Sequence, residues 1–251
     1  LHAISVNFLQ PRMAALERDY PDLRTRVISD SLTACCQLLS EGGCEFLLYY
    51  RHQDVAPILD ETRFKRKDIC EERLIPVAQH EAAARNGWSL PPRAGQELPY
   101  LSYDPNTFLG TVVDQTIGNR RPALDLRYMD ALAKALKRRT LAGAGLAWLP
   151  EFSIRQELAD GTLVRLGGRD WTATMTISPF CSRSDARCCN LNRRNQDGAE
   201  IVDIGQRWPC HHLPANGPEK PMRIIDRQGL RGINPGGLGL SQRVRPDHRP
   251  R

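Results

Sequence analysis

The chain has 251 residues, 41% of them hydrophobic, which is enough for one large domain or two small domains with a real core. Its net charge is +6, but residues 181–251 carry 13 Lys/Arg and 7 Asp/Glu, so residues 1–180 hold 22 of each sign. A neutral body argues against a broad nucleic-acid-binding surface. No apolar run approaches 20 residues, so we expect no membrane partner.

The eight cysteines are spread unevenly, and none forms a CxxC pair. Cys188, Cys189, Cys210, His211 and His212 include two adjacent pairs, which is not the usual spacing of structural zinc ligands. We therefore expect no metal and no cofactor. Because the sequence shows no signal peptide, free thiols in a reducing cytoplasm are favoured over disulfides.

The first predicted element is an amphipathic helix that begins near Ser5 and ends at Tyr20, with a break or a new start at Pro11. The alternating residues Leu23 to Ile28 then predict a half-exposed strand. Polar residues at 29–31 predict an N-cap for a helix over Leu32 to Ser40.

Strands and helices alternate through the middle of the chain. The patterns predict a buried strand over residues 46–50, a charged edge strand over 63–73, an apolar strand over 74–78 and an irregular insertion over 80–97. They then predict a strand over residues 99–103, a helix that is capped by Asp104 or Asn106 and ends at 117, a strand over 123–128, and a helix over 131–142 that is capped by Asp130. This order predicts mostly parallel sheets with right-handed crossovers.

The most clearly marked unit runs from Ala142 to Leu166. It reads as a strand over Leu146 to Leu149, a helix that begins at Pro150, and a return strand from Leu163. The alternating residues 172–178 predict one further strand. Beyond Phe180 the pattern ends, and either a disordered segment or a shifted reading frame after about Ser182 would produce this composition.

Three stretches resemble the effector-binding domain of LysR-type transcriptional regulators. They are Phe8 to Leu23, with Leu9, Pro11, Leu16 and Tyr20-Pro21-Asp22, then LLSEGGCEFLL over residues 38–48, and GAGLAWLPEFSIRQELADGTLVRL over residues 143–166. Within that family the chain is most similar to the hypochlorite-responsive regulators, through HAISVNFL (2–9), LPYLSYDPNTFLG (98–110) and YMDALAKAL (128–136).

The resemblance implies an α/β fold of the type-2 periplasmic-binding-protein kind, in which two hinge strands join two subdomains. Residues 1–76 and 172–180 would form subdomain I, without its first strand, and residues 77–171 would form subdomain II, followed by an irregular basic tail over residues 181–251. The family's winged helix-turn-helix and linker helix are absent from this sequence. We therefore expect DNA contact only through a domain not present in this chain.

Ligands of open α/β sheets bind at the carboxyl ends of strands, where helix N-termini offer free N–H groups. This rule predicts a small-molecule or anionic effector that contacts Ser5, Ser29, Ser31 and Tyr50 in subdomain I, and Tyr103, Asn106, Met129 and the backbone from Ala147 to Leu149 in subdomain II. The structural alternatives are helix capping for the serines and packing for the tyrosines.

The hypochlorite-responsive resemblance also implies oxidant sensing at Met129, against the alternative that Met129 fills a gap between strand and helix. Cys35 and Cys36 are expected to be buried small hydrophobes. The family's side-by-side pairing implies a homo-oligomer, a dimer or tetramer, in which residues 8–20 and 23–28 of one copy face residues 130–141 of another.

The sequence contains no GxSxG, HExxH, P-loop or GxGxxG motif, so an enzyme is not expected. The leading hypothesis is an effector- or oxidant-sensing regulatory domain of a LysR-type regulator, in a chain that lacks the helix-turn-helix. The alternative is a solute-binding protein of a transporter with the same architecture. A helix-turn-helix or a secretory signal in the upstream coding sequence would decide between them.

Overall fold

The computed structural model of the protein describes residues 2–21, 24–60 and 62–183. The predicted tail beyond Arg183, with its paired cysteines and histidines, lies outside the described residues. The helices are α1 (His2–Ile4), a π-helix (Ser5–Leu9), α2 (Gln10–Asp19), α3 (Leu32–Ser40), α4 (His80–Asn86), α5 (Phe108–Ile117), α6 (Ala133–Leu141) and α7 (Arg155–Ala159). The strands are β1 (Leu47–Arg51), β2 (Phe64–Arg66), β3 (Cys70–Gln79), β4 (Leu98–Tyr103), β5 (Leu124–Asp130), β6 (Ala147–Pro150), β7 (Leu163–Arg165) and β8 (Ala173–Ser182).

The chain is helical without interruption from His2 to Asp19, so a break at Pro11 is wrong, whereas the alternative of a new start agrees with α2, which begins at Gln10 and has Pro11 in its first turn. Proline lacks an N–H donor and its ring meets the carbonyl four residues earlier, which normally kinks a helix. Here the π-helical segment lies directly before Pro11, and its wider turn accommodates the ring. Ile4 and Phe8 on this helix are buried in the main core.

The predicted strand over Leu23 to Ile28 is also wrong for its described part. Asp22 and Leu23 lie outside the described residues, and only Thr25 of residues 24–30 forms a bridge. A strand needs a neighbour for its backbone N–H and C=O groups. Apart from the bridge at Thr25, residues 24–30 pair with no strand, so they do not form the predicted strand.

Two ten-residue strands, β3 and β8, connect the two subdomains. They pair antiparallel from Cys70 opposite Ile177 to Leu74 opposite Ala173. Beyond this shared segment β3 continues to pair with β6 and β7, whereas β8 continues to pair with β1 and β2. The charged and apolar strands predicted over residues 63–78 are therefore β2 followed by one long crossing strand, and β8 extends to Ser182.

The expected parallel sheets are mostly antiparallel. Among the described strand pairs only β4 and β5 run parallel, with a single parallel bridge from Tyr100 to Leu146. The reason is that β3 and β8 carry the chain across the hinge in opposite directions, and β1, β2, β6 and β7 each pair with one of these two strands. Element order alone does not reveal such pairing.

In the unit from Ala142 to Leu166, a glycine allows the chain to pass close to β4. A Cβ atom on Gly145 would lie 2.5 Å from the carbonyl oxygen of Pro99, so only glycine permits this approach. Leu146 then donates its N–H to the same oxygen at 2.8 Å. After Pro150 the chain first forms a 3₁₀ turn over Glu151–Ser153, so α7 begins five residues later than predicted.

The core is continuous through both subdomains. Trp148 on β6 is 1% exposed, and its indole N–H donates to the carbonyl oxygen of Trp171 at 2.8 Å. A second, smaller cluster lies beneath α3, whose predicted bounds are confirmed. Ser31 caps α3, because its hydroxyl oxygen accepts the N–H of Ala34 at 3.2 Å.

Candidate functional site

The crossing strands present two faces with different chemistry, because successive residues of a strand point to opposite sides. On the first face, Tyr50, Cys70 and Ile177 form one row and Glu72 and Met175 the next. We call this the inner face, and its side chains belong to or border the buried core. The outer face carries Arg51, Glu71, Thr174 and Thr176, which are half-buried or exposed.

The structure brings two of the predicted serines together. The hydroxyl oxygens of Ser5 and Ser29 lie 2.6 Å apart, within hydrogen-bond distance. Ser5 belongs to the π-helix and Ser29 to the extended segment before α3, so this bond ties the first helix to that segment. Ser31 lies two residues further along, with its hydroxyl engaged in the α3 cap.

Tyr50 and Tyr103 lie deep in the inner face rather than on an open cleft wall. They are 3% and 2% exposed, and the Tyr103 hydroxyl has no hydrogen-bond partner among the described residues. Burial raises the pKa of both phenols well above its usual value, and the nearby Glu72 carboxylate raises it further.

Glu72 is the residue that sequence reasoning missed. Its side chain is on the inner face of β3 and the residue is only 1% exposed. One carboxylate oxygen, Oε1, accepts the N–H groups of Arg73 at 3.0 Å and Phe152 at 3.1 Å, whereas Oε2 has no partner among the described residues. Burial raises the pKa of Glu72 to about 8, although the two N–H groups act to lower it.

Aromatic side chains from both subdomains close the inner face. Phe8 of the first helix stacks on Phe152 of the 3₁₀ turn, with ring centroids 6.3 Å apart. The guanidinium of Arg155 on α7 lies 4.1 Å from the centroid of the Phe152 ring. The N–H of Phe152 also bonds Glu72, so this turn joins the hinge strand to the first helix.

An ion-pair cluster lies beside this turn, on the side that faces solvent. The Arg73 guanidinium donates to both carboxylate oxygens of Glu151, at 2.5 and 2.8 Å, and Arg165 donates to Glu151 Oε1 at 3.1 Å. Paired N–H donors hold a carboxylate in a fixed orientation. The position of the 3₁₀ turn is thus fixed from β3 and from β7.

The other predicted contacts in subdomain II are scattered. Asn106 is exposed in a turn where its backbone and side-chain N–H groups donate to Asp104. The cap of α5 is Thr107, which accepts the N–H of Gly110 at 3.0 Å, so the predicted caps Asp104 and Asn106 are wrong. The Thr107 hydroxyl lies one residue nearer the helix than Asn106 and accepts the N–H of Gly110. The Asp104 carboxylate instead accepts N–H groups of Asn106 within the turn.

Met129 and the β6 backbone differ sharply in exposure. Met129 is 44% exposed near the end of β5, and Ala147 and Leu149 are 0% exposed with their strand paired to β3.

Asp130 is the last residue of β5. Its carboxylate accepts the Tyr128 hydroxyl at 2.6 Å and the N–H of Leu132 at 2.8 Å, and these two bonds lower the pKa of the carboxyl. The N-cap position of α6 is Leu132, so the predicted cap at Asp130 is displaced by two residues.

The outer face lines an open polar cleft of about 610 Å³. Its walls come from the end of β1, both crossing strands, the C-terminal end of α5, and the segment before β8; they include Arg51, Asp54, Glu71, Arg120, Asp170 and Thr176. None of the predicted contact residues is among the residues that line it. The structure therefore separates the predicted effector contacts from this cleft.

The described cysteines and metal-ligating residue types provide no further candidate site. Cys35 and Cys36 are 4% and 5% exposed on α3, and burial, followed by the neighbouring thiols, raises the pKa of Cys36 to about 11. Such a thiol is not activated. No group of described His, Cys, Asp and Glu residues is arranged to hold a metal ion, and no described helix is long and apolar enough to cross a membrane.

Two curated proteins match the chain over 151 residues. The HTH-type transcriptional regulator YjiE of Escherichia coli K12 is 30% identical, over 59% of this chain and 46% of its own length. The HTH domain-truncated transcriptional regulator QseD of Escherichia coli O157:H7 is 29% identical, over 59% of this chain and 58% of its own length. The chain thus spans about half the length of the curated relatives it matches.

Solved structures agree with the fold. A LysR family transcriptional regulator, VV2_1132, superimposes with a TM-score of 0.63 at 25% identity, over 75% of this chain and 63% of its own. The apo regulatory domain of HypT from Salmonella typhimurium gives a TM-score of 0.61 at 21% identity, over 78% and 85%. The profile of the LysR substrate binding domain matches residues 1–187. The chain therefore belongs to the LysR substrate-binding domain family, with its type-2 periplasmic-binding-protein-like α/β fold.

Proposed function

We propose that this protein senses a small effector or an oxidant as the regulatory domain of a LysR-type transcription regulator. The observation that carries the proposal is the family match over residues 1–187, together with a hinge in which β3 and β8 connect two subdomains. Effectors act on such a fold by favouring one relative orientation of the subdomains. The relatives described above are transcription regulators, which favours this function over solute binding for transport.

The proposed division is residues 1–76 and 172–180 for subdomain I and residues 77–171 for subdomain II. The proposed effector contacts are Ser5, Ser29 and Ser31 with Tyr50, and Tyr103, Asn106, Met129 and the backbone from Ala147 to Leu149. The hydroxyl pair of Ser5 and Ser29 supports a polar site for a small anion. A regulatory domain of HypT has been solved with a bromide ion bound, which makes a halide a suitable probe.

Oxidant sensing is the finer part of this proposal. Met129 is exposed, and the likeness to HypT, described as a hypochlorite-specific LysR-type regulator, favours a thioether signal. Oxidation would convert that thioether to a polar sulfoxide beside the Tyr128–Asp130 bond. We further propose a cytoplasmic setting, because a regulator of transcription acts where the DNA is.

Association between copies completes the proposal. Two of the exposed large apolar side chains, Ile28 and Leu132, fall on the segments through which the family pairs, and Leu126 and Met129 lie on β5 just before the second of these segments. Exposed apolar side chains that together form one patch are typical of interaction surfaces. DNA contact is assigned to a separate domain, and one LysR-type relative in fold, Vibrio fischeri DarR, has been solved in complex with DNA.

A halide titration followed by NMR tests the effector site. Sodium bromide is added to ¹⁵N-labelled protein against sodium gluconate at equal ionic strength. We expect amide shifts that saturate and cluster at residues 5 and 29–31, and that are lost in Ser5→Ala. Shifts that are small, linear and spread over the surface would contradict an anion site at these serines.

A further inference from the structure

We propose that the polar cleft on the outer face of the hinge binds a small zwitterion, a molecule with both an ammonium and a carboxylate group, such as an amino acid or a short peptide. This site is additional to the effector contacts proposed above. Those contacts lie on the inner face or on loops, and none of them lines the cleft.

The strand register places opposite charges on one side of the sheet. Arg51 of β1 lies opposite Thr176 of β8, and Thr176 lies opposite Glu71 of β3. Directly paired residues share a face, and neighbouring strands are about 4.8 Å apart, so the Arg51 and Glu71 backbones are separated by about 10 Å. A cation, a hydroxyl and an anion therefore stand in one row across the floor of the cleft.

The acidic groups of the cleft are available for an ammonium ion. Glu71 and Asp170 are exposed, and neither makes a hydrogen bond or ion pair with another described residue. Asp54 has only a 3.9 Å approach from His52 and a 3.4 Å bond from Gln53. Carboxylates accept the three N–H donors of an ammonium group without competition from a close internal cation.

The basic groups are held in place but keep free N–H donors. The Arg120 guanidinium donates from Nη2 to the carbonyl oxygen of Thr116 and lies 4.8 Å from the ring of the buried Trp171, which limits its motion and leaves its other N–H groups unused within the described part of the chain. Arg51 contacts Asp68 through Nη1 alone, at 3.3 Å. Guanidinium groups with unused N–H donors are the usual partners of a carboxylate, which they bind in a bidentate manner.

The mixture of charges decides the class of ligand. A simple anion would meet repulsion from the three carboxylates, and a simple cation from the two guanidinium groups. A zwitterion satisfies both sets, and Thr174, Thr176 and Gln115 offer uncharged donors and acceptors for its remaining polar atoms. A volume of about 610 Å³ is within the range of small-molecule sites and exceeds a single small amino acid, which leaves room for a dipeptide.

The position of the cleft gives such a ligand a regulatory effect. Its walls come from β1 on one side of the hinge, from both crossing strands, and from α5 and Arg120 on the other side. A molecule bound to Glu71 and Arg120 at once would hold the two subdomains in one orientation. Binding here is thus expected to alter the inner face on the opposite side of the same strands.

Isothermal titration calorimetry of the full chain tests the proposal with the twenty common amino acids and their glycyl dipeptides. We expect at least one of these probes to bind with a Kd below about 1 mM. Its N-acetylated and C-amidated forms, which each lack one charge, should bind at least tenfold more weakly. Absence of any binding zwitterion, or equal binding of the singly charged analogues, overturns the proposal.

Variants locate the site. Glu71→Gln removes the cleft carboxylate on β3 and should weaken the identified probe at least tenfold, with an unchanged circular dichroism spectrum. Glu81→Gln, which removes an exposed carboxylate on α4 away from the cleft, is the matched control and should bind as the parent does. Equal affinity of parent and Glu71→Gln would refute the assignment of the site.

Discussion

Replacing the buried Glu72 by glutamine tests the chemistry of the hinge. In the folded protein burial raises the pKa of this carboxyl from 4.5 to about 8. The folded state therefore binds one proton more than the unfolded state between these two pH values. The stability that the protonated carboxyl contributes is fully present below pH 4.5 and is lost progressively as the pH rises to about 8.

The magnitude follows from the slope of this linkage, about 1.4 kcal/mol per pH unit for one proton. Glutamine cannot ionise, but its carbonyl oxygen can still accept the N–H groups of Arg73 and Phe152. The amide nitrogen takes the place of Oε2, which has no hydrogen-bond partner among the described residues, and the buried donors without an acceptor cost about 1–2 kcal/mol at every pH. Relative to the parent, Glu72→Gln should therefore gain roughly 2–3 kcal/mol between pH 5.5 and 7.5.

Urea unfolding followed by tryptophan fluorescence at pH 5.5, 6.5 and 7.5 measures this difference. Subtracting variant from parent removes the contributions of all other titrating groups. Glu71→Gln, one residue away on the exposed face, is the control for loss of a carboxylate from β3 and should not show the same slope. Parent and Glu72→Gln curves that stay parallel across this range would refute the account of Glu72.

Three further changes follow from the same structure. Gly110→Ala should destabilise the protein by about 1–3 kcal/mol in urea unfolding, because its Cβ would clash with the Asp104 carbonyl oxygen. After mild hypochlorite treatment, peptide mass spectrometry should find Met129 oxidised before the two buried methionines at positions 13 and 175, which are 2% and 0% exposed. Leu132→Asp should weaken self-association at tens of micromolar in sedimentation equilibrium, because it puts a charge on the proposed pairing surface.

Each of these three predictions would be contradicted by a specific result. A Gly110→Ala variant as stable as the parent would mean that the turn before α5 moves freely. Equal oxidation of Met13, Met129 and Met175 would remove Met129 as a sensor, with Met129→Leu as the control for peptide identity. A parent protein that is monomeric at tens of micromolar would contradict the proposed pairing irrespective of Leu132.

Local signals predicted helices well. The bounds of α3 follow from Ser31 at its start and the glycine pair after its end. In the structure Ser31 caps the helix, which ends at Ser40 shortly before the two glycines. A helix break at Pro11 was wrongly predicted, because the wider π-helical turn accommodates a proline ring that ordinary α-helix geometry would not. Thr107 was missed as a cap since Asp104 offers the same chemistry in a turn.

Non-local features could not be predicted in the same way. The antiparallel course of β3 and β8 depends on which strands meet, and no residue pattern states that. Glu72 stands among charged residues from 63 to 73, which reads as a solvated stretch, yet strict alternation with Cys70 and Leu74 was the one signal of a buried carboxylate. The residues of the outer cleft come from four separate stretches of the chain, so they carry no common motif.

The coding sequence immediately upstream of Leu1 tests most directly that this domain serves a LysR-type regulator. Genomic sequencing of that region, read in the frame of the chain, is the measurement. The account predicts a winged helix-turn-helix followed by a linker helix in that frame. A secretory leader in the same place would contradict it and would assign the domain to solute binding outside the cytoplasm.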